Sequence, residues 1–393
     1  MVAVSSQPKL FRFEGDPAIA DSPYVPVLLI KKGEREALER IDVGTRDAIT
    51  PWLRVVPPEL ARQDGREAPP DEIKRIARAT GDYAVYLDVV GTPTRQSSAP
   101  KLRHAFVADV YDAALEVDLP FMPVYAFGRM DLLATVAGYE SPALGAAVLV
   151  RAGATMMYGT RSLQEELRAQ VISLGILPGR LDVMIDFGFI QPGTSDPRSA
   201  LRLARSVGDA VPWRSIIVSG NSVPNSFAGD IPDDALGWID RRERPLFDAL
   251  QAGMERRLRF SDGAVQHEVP PRAGFAPKMR AHVRYTLGDY LYVSRGGLPL
   301  GEIPRDDWPS EYMAVARRLV DELPSLGRDC CWGDRFVLSL ADGTRPARSQ
   351  HLMRAAATCH HLAVVSREQA RPTSRVPARS VVRSDAIVGA TRP

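Results

Sequence analysis

The sequence has little cysteine, no long hydrophobic run and no excess of charge of one sign. Its three cysteines among 393 residues are too few for a disulfide framework, which indicates a reducing compartment. No run approaches the roughly 18 apolar residues of a membrane helix, and residues 1–21 lack the apolar core of a secretion signal. We therefore expect a cytoplasmic protein that does not enter a membrane.

The sequence also lacks the motifs of several common enzyme classes. It has no Gly-x-Ser-x-Gly elbow, no P-loop, no His-Glu-x-x-His and no Gly-x-Gly-x-x-Gly after a predicted strand. The net charge of +2 gives no broad basic surface, so duplex nucleic acid is not an expected partner. What remains is an ordinary globular composition, 45% hydrophobic and 25% charged.

Residues 181–190 have the composition of a buried parallel strand, yet they contain Asp182 and Asp186. A carboxylate inside such a strand is costly unless it is paired or lies at the strand end. Asp186 occupies the second half of the run, before Gly188, where it can reach a ligand. Seven further strands are predicted between helical segments: 24–30, 49–56, 83–90, 121–127, 145–151, 213–219 and 258–260.

Eight strand–helix alternations over about 240 residues predict an α/β fold, a (β/α)8 TIM-like barrel. A doubly wound open sheet is the alternative, but it would be expected to carry a glycine-rich motif after a strand. We expect four segments: an irregular 1–22, the barrel at 23–278, a C-terminal α+β extension packed on the barrel at 279–366, and a disordered tail at 367–393.

The chain changes character after the eighth predicted strand. Residues 279–286 and 289–295 predict a β-hairpin, and 310–323 predict a helix. Residues 336–340 predict a short strand. Within the barrel region, residues 220–238 are rich in Gly, Pro, Asn and Asp and predict a long loop.

Charged side chains follow or end several predicted strands, and the carboxyl ends of barrel strands meet at one mouth. Lys31 and Glu34 follow the first strand, and Asp88 and Asp186 lie near the ends of the third and sixth. Lys31 could hold a phosphate or carboxylate, or form a Schiff base. The three acids could act as acid and base, or bind a divalent cation through oxygen. The alternative for residues 31–34 is an ordinary helix start.

Two arginines near strand ends offer another interpretation of the acids. Arg54 and Arg151 lie near the ends of the second and fifth predicted strands, where they could pair with Asp88 and Asp186 inside the barrel or clamp an anion. Asn221 follows the seventh strand, where barrels often hold phosphate through backbone N–H groups. A plain glycine-containing loop is the alternative there.

The C-terminal extension supplies further candidates. Arg284 and Tyr285 could project over the mouth to bind phosphate or stack on a base, or they could lie on a plain hairpin. Asp334 with His360 or His361 could form a carboxylate-oriented general base, although buried core histidines are the alternative.

The cysteines do not have the spacing of a zinc site. Cys330 and Cys331 are adjacent, which makes a poor chelate compared with Cys-x-x-Cys. From the sequence we therefore expect no metal bound by the cysteine and histidine residues.

Six short segments occur in an order and spacing that match a known pattern. They are Tyr24-Val-Pro-Val-Leu28 with Lys31, Gly33-Glu34 and Ala37-Leu38; Ile49-x-Pro51; Ile185-Asp186; Arg284-Tyr285-Thr286; Cys331-Trp-Gly-Asp-Arg335; and His360-His361. Together they resemble the bacteriophage beta protein family over about residues 22–366. The resemblance implies one continuous unit of barrel and extension, and an origin in phage–bacterium conflict. It carries over no established reaction or cofactor.

Two functions of different classes follow. The first is a barrel hydrolase that acts on a phosphate ester or phosphodiester of a phosphorylated or nucleotide-derived ligand, with a divalent cation as one option. The second is a non-catalytic scaffold that binds a phage or host protein within a multi-component complex. Barrels usually hold active sites, which favours the first, whereas the missing catalytic motifs favour the second.

Overall fold

Eight parallel strands form one sheet in chain order and close into a barrel. The structure is a computed structural model that describes residues 22–55, 69–89, 100–139, 144–153, 159–193, 196–267, 279–323 and 330–370. The ring closes where the Val25 N–H donates to the Phe260 carbonyl at 2.8 Å and the Phe260 N–H donates to Pro23 at 3.2 Å. The predicted (β/α)8 barrel is therefore confirmed. Its strands are β1 (Val27–Leu29), β2 (Trp52–Arg54), β3 (Val85–Asp88), β4 (Phe121–Ala126), β5 (Ala146–Arg151), β6 (Leu181–Phe189), β7 (Ser215–Asn221) and β9 (Leu258–Asp262).

Helices between the strands bury one face each against the barrel. In the segment 160–174, Leu163, Leu167, Val171 and Leu174 recur at helical spacing, and all four are buried. The helices of this layer are α1 (Lys32–Arg40), α2 (Val43–Asp47), α3 (Pro69–Thr80), α4 (Pro100–Glu116), α5 (Met130–Ala137), α6 (Thr160–Leu174), α7 (Pro197–Ala210) and α8 (Glu243–Gly253).

Alternate residues of each strand divide between the helix layer and the barrel interior. In β6, Val183 and Ile185 pack with the helices, whereas Met184 packs inside the barrel. Asp182 faces the interior at the amino end of β6, where it is fully buried and accepts hydrogen bonds from three side chains. They come from Tyr86 at 2.6 Å, Ser215 at 2.8 Å and Arg214 at 2.6 and 2.9 Å.

A three-stranded antiparallel sheet lies beside the barrel. It consists of β8 (Ala235–Asp240), β10 (Arg280–Leu287) and β11 (Tyr290–Pro299), in the order β10-β11-β8. The predicted hairpin is thereby present as β10 and β11. The prediction of a loop throughout 220–238 is wrong at its end, because β8 pairs with β11, for example Gly237 opposite Val293. That pairing joins segments about 55 residues apart, which local sequence patterns do not reveal.

Three α-helices complete the described C-terminal part: α9 (Trp308–Glu322), α10 (Trp332–Ala341) and α11 (Gln350–Ala370). The predicted strand at 336–340 is wrong, because Phe336, Val337 and Leu340 are buried on one face of α10. The predicted tail starts too early, because α11 continues to Ala370 and its Glu368 pairs with two arginines. Residues 1–21 and 371–393, the remainder of the two predicted irregular ends, lie outside the described residues.

Helix α11 fills the position of the eighth barrel helix. It packs along α1, where the Cys359 Sγ lies 3.9 Å from the Arg40 carbonyl oxygen. Farther along, Leu362 shares a hydrophobic cluster with Phe260 of β9. Near its end, Glu368 reaches Arg244 in α8. The segment from β10 to α10 is therefore inserted between the eighth strand and the helix that covers it.

Candidate functional site at the barrel mouth

Asp186 lies where the regular part of β6 ends. The pairing of β6 with β7 shifts register between Asp186 and Phe189, and Gly188 has a φ of +62°, which residues with a side chain rarely adopt. The Gly188 N–H donates to Asp186 Oδ1 at 2.9 Å. Such bulges redirect side chains near functional sites, and here the bulge holds the carboxylate at the mouth.

Arg54 connects Asp186 to Asp88 at the carboxyl ends of β2, β3 and β6. Its Nε donates to Asp88 Oδ2 at 3.1 Å, and its Nη2 lies 3.5 Å from Asp186 Oδ2. Asp88 is fully buried and also accepts a hydrogen bond from Trp52 Nε1 at 3.0 Å. The ion-pair alternative thus holds for Arg54, whose guanidinium is the common counter-ion of two carboxylates.

A pocket opens above this ion pair. About 20 Å³ of it is accessible to water-sized molecules, within about 360 Å³ of space that is not filled by atoms and is partly open to solvent. Arg54 and Asp186 line it from one direction, and residues of β7 and the loop after β9 line it from another. The full lining is Val27, Leu29, Arg54, Asp186, Ser219, Gly220, Asn221, Gly263, Gln266 and His267.

Asn221 holds two loops of the pocket together. Its Nδ2 donates to the Gln266 carbonyl at 2.6 Å, and its Oδ1 accepts from the Val223 N–H at 2.8 Å. The predicted ligand-binding residue therefore lies in the pocket, but its amide is engaged in positioning the loop after β9. Ser219 and His267 contribute further polar groups to the same wall.

Lys31 and Glu34 lie in a second cluster and do not line the pocket. Glu34 is fully buried at the start of α1, and its carboxylate accepts no hydrogen bond from the described side chains. The nearest cation is Arg354 of α11, whose Nε is 3.7 Å from Oε1. Burial raises the pKa of Glu34, and the charges of Arg354, Lys31 and Arg284 offset only part of this rise.

The predicted three-acid site for a divalent cation is therefore not assembled. Glu34 belongs to another cluster, and the Arg54 guanidinium already pairs with both Asp88 and Asp186. A cation between these two carboxylates would have to displace the arginine.

Arg284 does not project over the mouth. Its Nη1 donates to the Val265 carbonyl, its Nη2 lies 3.1 Å from His282 Nε2, and its guanidinium stacks 4.8 Å from the Phe227 ring. Burial lowers the pKa of Arg284 to about 9, and the charge of Arg354 acts in the same direction. The expectation of an open phosphate-binding arginine is wrong, because the strand directs this side chain beneath the loop after β9.

Arg151 is placed differently from Arg54. It ends β5 in register with Asp186, but its side chain is exposed and does not line the pocket. The predicted clamp of two arginines therefore reduces to Arg54 at the mouth.

Tyr285, Asp334 and His361 lie in a buried polar network between β10, α10 and α11. The Tyr285 hydroxyl donates to Asp334 Oδ1 at 2.9 Å, and its ring stacks on His360 with centroids 3.7 Å apart. All four residues are at most 3% exposed. Tyr285 is thus not available to stack on a base, because α10 and α11 cover that face of the sheet.

The two adjacent histidines have different carboxylate partners. His360 Nδ1 lies 2.7 Å from Asp334 Oδ1, whereas His361 Nε2 lies 3.0 Å from Asp262 Oδ2. His361 Nδ1 is 2.7 Å from the hydroxyl of Thr286. Both rings are buried, so neither Asp–His pair serves as a general base at the mouth.

The network continues from Asp262 towards the beginning of α8. Burial acts to raise the pKa of Asp262, but the neighbouring His361 lowers this pKa to about 2. Burial and the Asp262 charge raise the pKa of Glu243 to about 7. Arg241 lies between these carboxylates, with its Nε 3.7 Å from Glu243 and its Nη2 4.0 Å from Asp262.

Sequence reasoning missed Gln266 and His267 as pocket residues. A signal was available, since both follow the eighth strand, and the loops after the seventh and eighth strands commonly form the phosphate site of a barrel. The predicted eighth strand ended at residue 260, whereas β9 continues to Asp262, so the loop was not recognised as part of the mouth.

The fold and the mouth define a (β/α)8-barrel protein with a pocket at the strand carboxyl ends that is lined in part by an arginine and an aspartate. The chain belongs to the Beta protein family, whose sequence profile matches residues 24–367. No curated protein matches it. Among the helices of the described ranges, none has both the length and the hydrophobicity needed to cross a membrane.

Proposed function

We propose that the protein is a hydrolase that cleaves a phosphate ester or phosphodiester of a small phosphorylated or nucleotide-derived ligand in the mouth pocket. The main support for this proposal is that Asp186 and Arg54 share one pocket with the loops after β7 and β9. These loops are where barrels most often hold phosphate. Asp186 and Arg54 supply the charged groups that phosphoryl transfer requires nearby.

The proposed roles follow from position in the pocket. Arg54 and the loop after β9 hold the phosphate, and Asp186 accepts a proton from the attacking water. The water oxygen forms a bond to phosphorus, the P–O bond to the leaving group breaks, and His267 acts as the general acid that donates a proton to the leaving oxygen. Asp88, bonded to both Trp52 and Arg54, positions the arginine and does not touch the ligand.

The test is hydrolysis of a panel of phosphate monoesters, phosphodiesters and nucleotides by the purified full-length protein. We expect at least one substrate class to be cleaved, and Asp186→Asn to reduce kcat by about 100-fold or more because proton acceptance is lost. Arg151→Gln is the matched control, since that side chain is exposed next to Asp186 in register. A folded Asp186→Asn variant with wild-type rates would contradict the proposed chemistry.

The alternative function is a scaffold that binds a phage or host protein. One observation favours it: Trp238 is 58% exposed and Tyr290 is 40% exposed, and their rings lie edge to face on one face of the small sheet. Exposed aromatic residues are enriched in protein interfaces. Three results together would establish the scaffold function. A stoichiometric partner is captured, Trp238→Ser abolishes this capture, and Asp186→Asn has no phenotype.

We further propose that either activity serves in phage–bacterium conflict, on the basis of membership in the Beta protein family. The three free cysteines fit a reducing cytoplasm. A phage challenge of cells carrying wild type or Asp186→Asn tests this role. Equal infection with the protein present and absent would contradict it.

A further inference from the structure

Three side chains from two segments meet at the junction of α10, α11 and β10. They are Cys330 just before α10, Asp334 in its first turn, and His360 in α11. One ligand atom of each lies within 4.8 Å of the other two. Asp334 and His360 are buried, and Cys330 is half-buried, so the cluster reaches the protein surface only at the cysteine.

The hydrogen bonds of His360 fix which ring nitrogen is available. Its Nε2 lies 2.7 Å from the Thr286 carbonyl oxygen, which can only accept, so Nε2 carries a proton. Metal-binding histidines almost always donate their second ring N–H to a carbonyl or carboxylate in this way. The arrangement leaves Nδ1 as the nitrogen that faces Cys330 and Asp334.

The contact of Nδ1 with Asp334 is not a well-aligned hydrogen bond. The two atoms are 2.7 Å apart, yet the oxygen lies off the direction in which an Nδ1–H bond would point, and Nδ1 is buried without a hydrogen bond to the described residues. A ring nitrogen without a hydrogen bond is available to a metal ion. Two ligand atoms of one zinc ion lie roughly 3–4 Å apart, so Nδ1 and Oδ1 would separate from 2.7 Å when the ion binds.

The third group, Cys330, is held by Arg367. The guanidinium Nη1 contacts the Cys330 Sγ, and Nη2 donates to its carbonyl oxygen at 2.8 Å. Zinc binds the thiolate, so binding would release the proton of the Cys330 thiol. Thiolate, imidazole and carboxylate in one cluster are the donor set that selects zinc over magnesium or calcium.

We propose that Cys330, Asp334 and His360 bind one Zn²⁺ ion that joins α10 to α11, the eighth barrel helix. The poor spacing of Cys330 and Cys331 does not argue against this site, because Cys331 is not one of its ligands. None of the three ligands lines the mouth pocket, so the role of the site is to hold the inserted segment on the barrel.

The test is metal content and Co²⁺ spectroscopy of the reduced, untagged full-length protein. We expect one Zn²⁺ per chain by mass spectrometry, and a thiolate-to-cobalt charge-transfer band when Co²⁺ replaces it. Cys330→Ser, at a half-buried position where folding is retained, should lose both the stoichiometric zinc and the band. A chelator should lower the Tm of the wild type and leave the Tm of Cys330→Ser unchanged.

Matched controls separate the site from its surroundings. Cys359→Ser removes a buried thiol outside the three ligands, and His351→Gln removes a histidine of the same helix, so both should retain zinc. A wild-type protein that takes up no stoichiometric zinc would overturn the proposal and leave an Asp334–His360 ion pair as the explanation of the contact. Unchanged zinc affinity in Cys330→Ser would overturn it as well.

Discussion

Replacing Asp182 with asparagine should strongly destabilise the protein. Asp182 is buried inside the amino end of the barrel and accepts four hydrogen bonds, two of them from Arg214. Burial acts to raise the pKa of Asp182, but the bonds to Arg214 outweigh burial and lower this pKa. Asparagine removes the charge and leaves Arg214 and the nearby Arg259 without their shared counter-ion.

The magnitude follows from the partners. Removing one member of a buried ion pair typically costs about 3–5 kcal/mol. Because the Arg214 side chain is 18% exposed, solvent relieves part of the lost pairing. We therefore expect a loss at the lower end of the range, about 3 kcal/mol. This is a large fraction of the about 5–15 kcal/mol that stabilises a typical native protein.

The assay is urea unfolding of wild type and Asp182→Asn, followed by fluorescence and circular dichroism between pH 3 and 8. The pKa of Asp182 is lowered on folding, so its contribution is present above the unfolded pKa of 3.8 and is lost as the pH falls through the folded pKa. The gap between the two proteins should therefore be constant at neutral pH and narrow in acid. Asp186→Asn, in the same strand, should cost only about 1 kcal/mol, because Arg54 keeps Asp88 as its partner.

A cost of less than about 1 kcal/mol for Asp182→Asn at pH 7 would refute this reasoning, since it is within the range of a single neutral hydrogen bond. A gap that widens in acid would refute it too, because it would mean that the folded carboxyl is protonated more easily than the unfolded one.

Two further substitutions test other parts of the structure. The pKa of Glu243 is about 7 in the folded protein and 4.5 in the unfolded chain, so the unfolded chain loses this proton at a lower pH. As the pH rises from 4.5 to 8, the wild type should therefore lose about 3 kcal/mol of stability relative to Glu243→Gln. Urea unfolding of both proteins across that range measures the difference, and a constant difference would contradict the pKa. Gly333→Ala places a Cβ 2.2 Å from the Ala356 carbonyl oxygen, so it should destabilise the contact of α10 with α11 by about 1–3 kcal/mol. Gly179→Ala, whose added Cβ meets no atom within 4 Å, should change the unfolding midpoint little, and equal effects of the two alanines would contradict the close packing.

The barrel could be predicted from the sequence because its signals are local. Strands that are neighbours in the barrel also follow one another along the chain, apart from β8, which lies outside the barrel. Each barrel strand is a short apolar run between helical patterns. Asp186 was identified for a local reason as well, since an acid before a glycine at a strand end is unusual. Strand β8 could not be found in this way, because its pairing with β11 depends on distant residues.

The grouping of site residues was predicted only in part. Arg54, Asp88 and Asp186 come together because they end neighbouring or facing strands with inward side chains. Lys31 and Glu34 also follow a strand, but α1 begins at once at Lys32 and turns Glu34 towards α11. A strand-end position therefore predicts proximity to the mouth only for residues within the strand, and not for residues in the helix that follows.

The most direct test of the central claim is a crystal structure of the protein with tungstate, an analogue of phosphate that gives a strong anomalous signal. We predict tungstate in the mouth pocket, between Arg54 and the loop after β9. Density confined to the basic surface groove at Lys32, Arg35 and Arg78, with the mouth pocket empty, would contradict a phosphate site at the mouth.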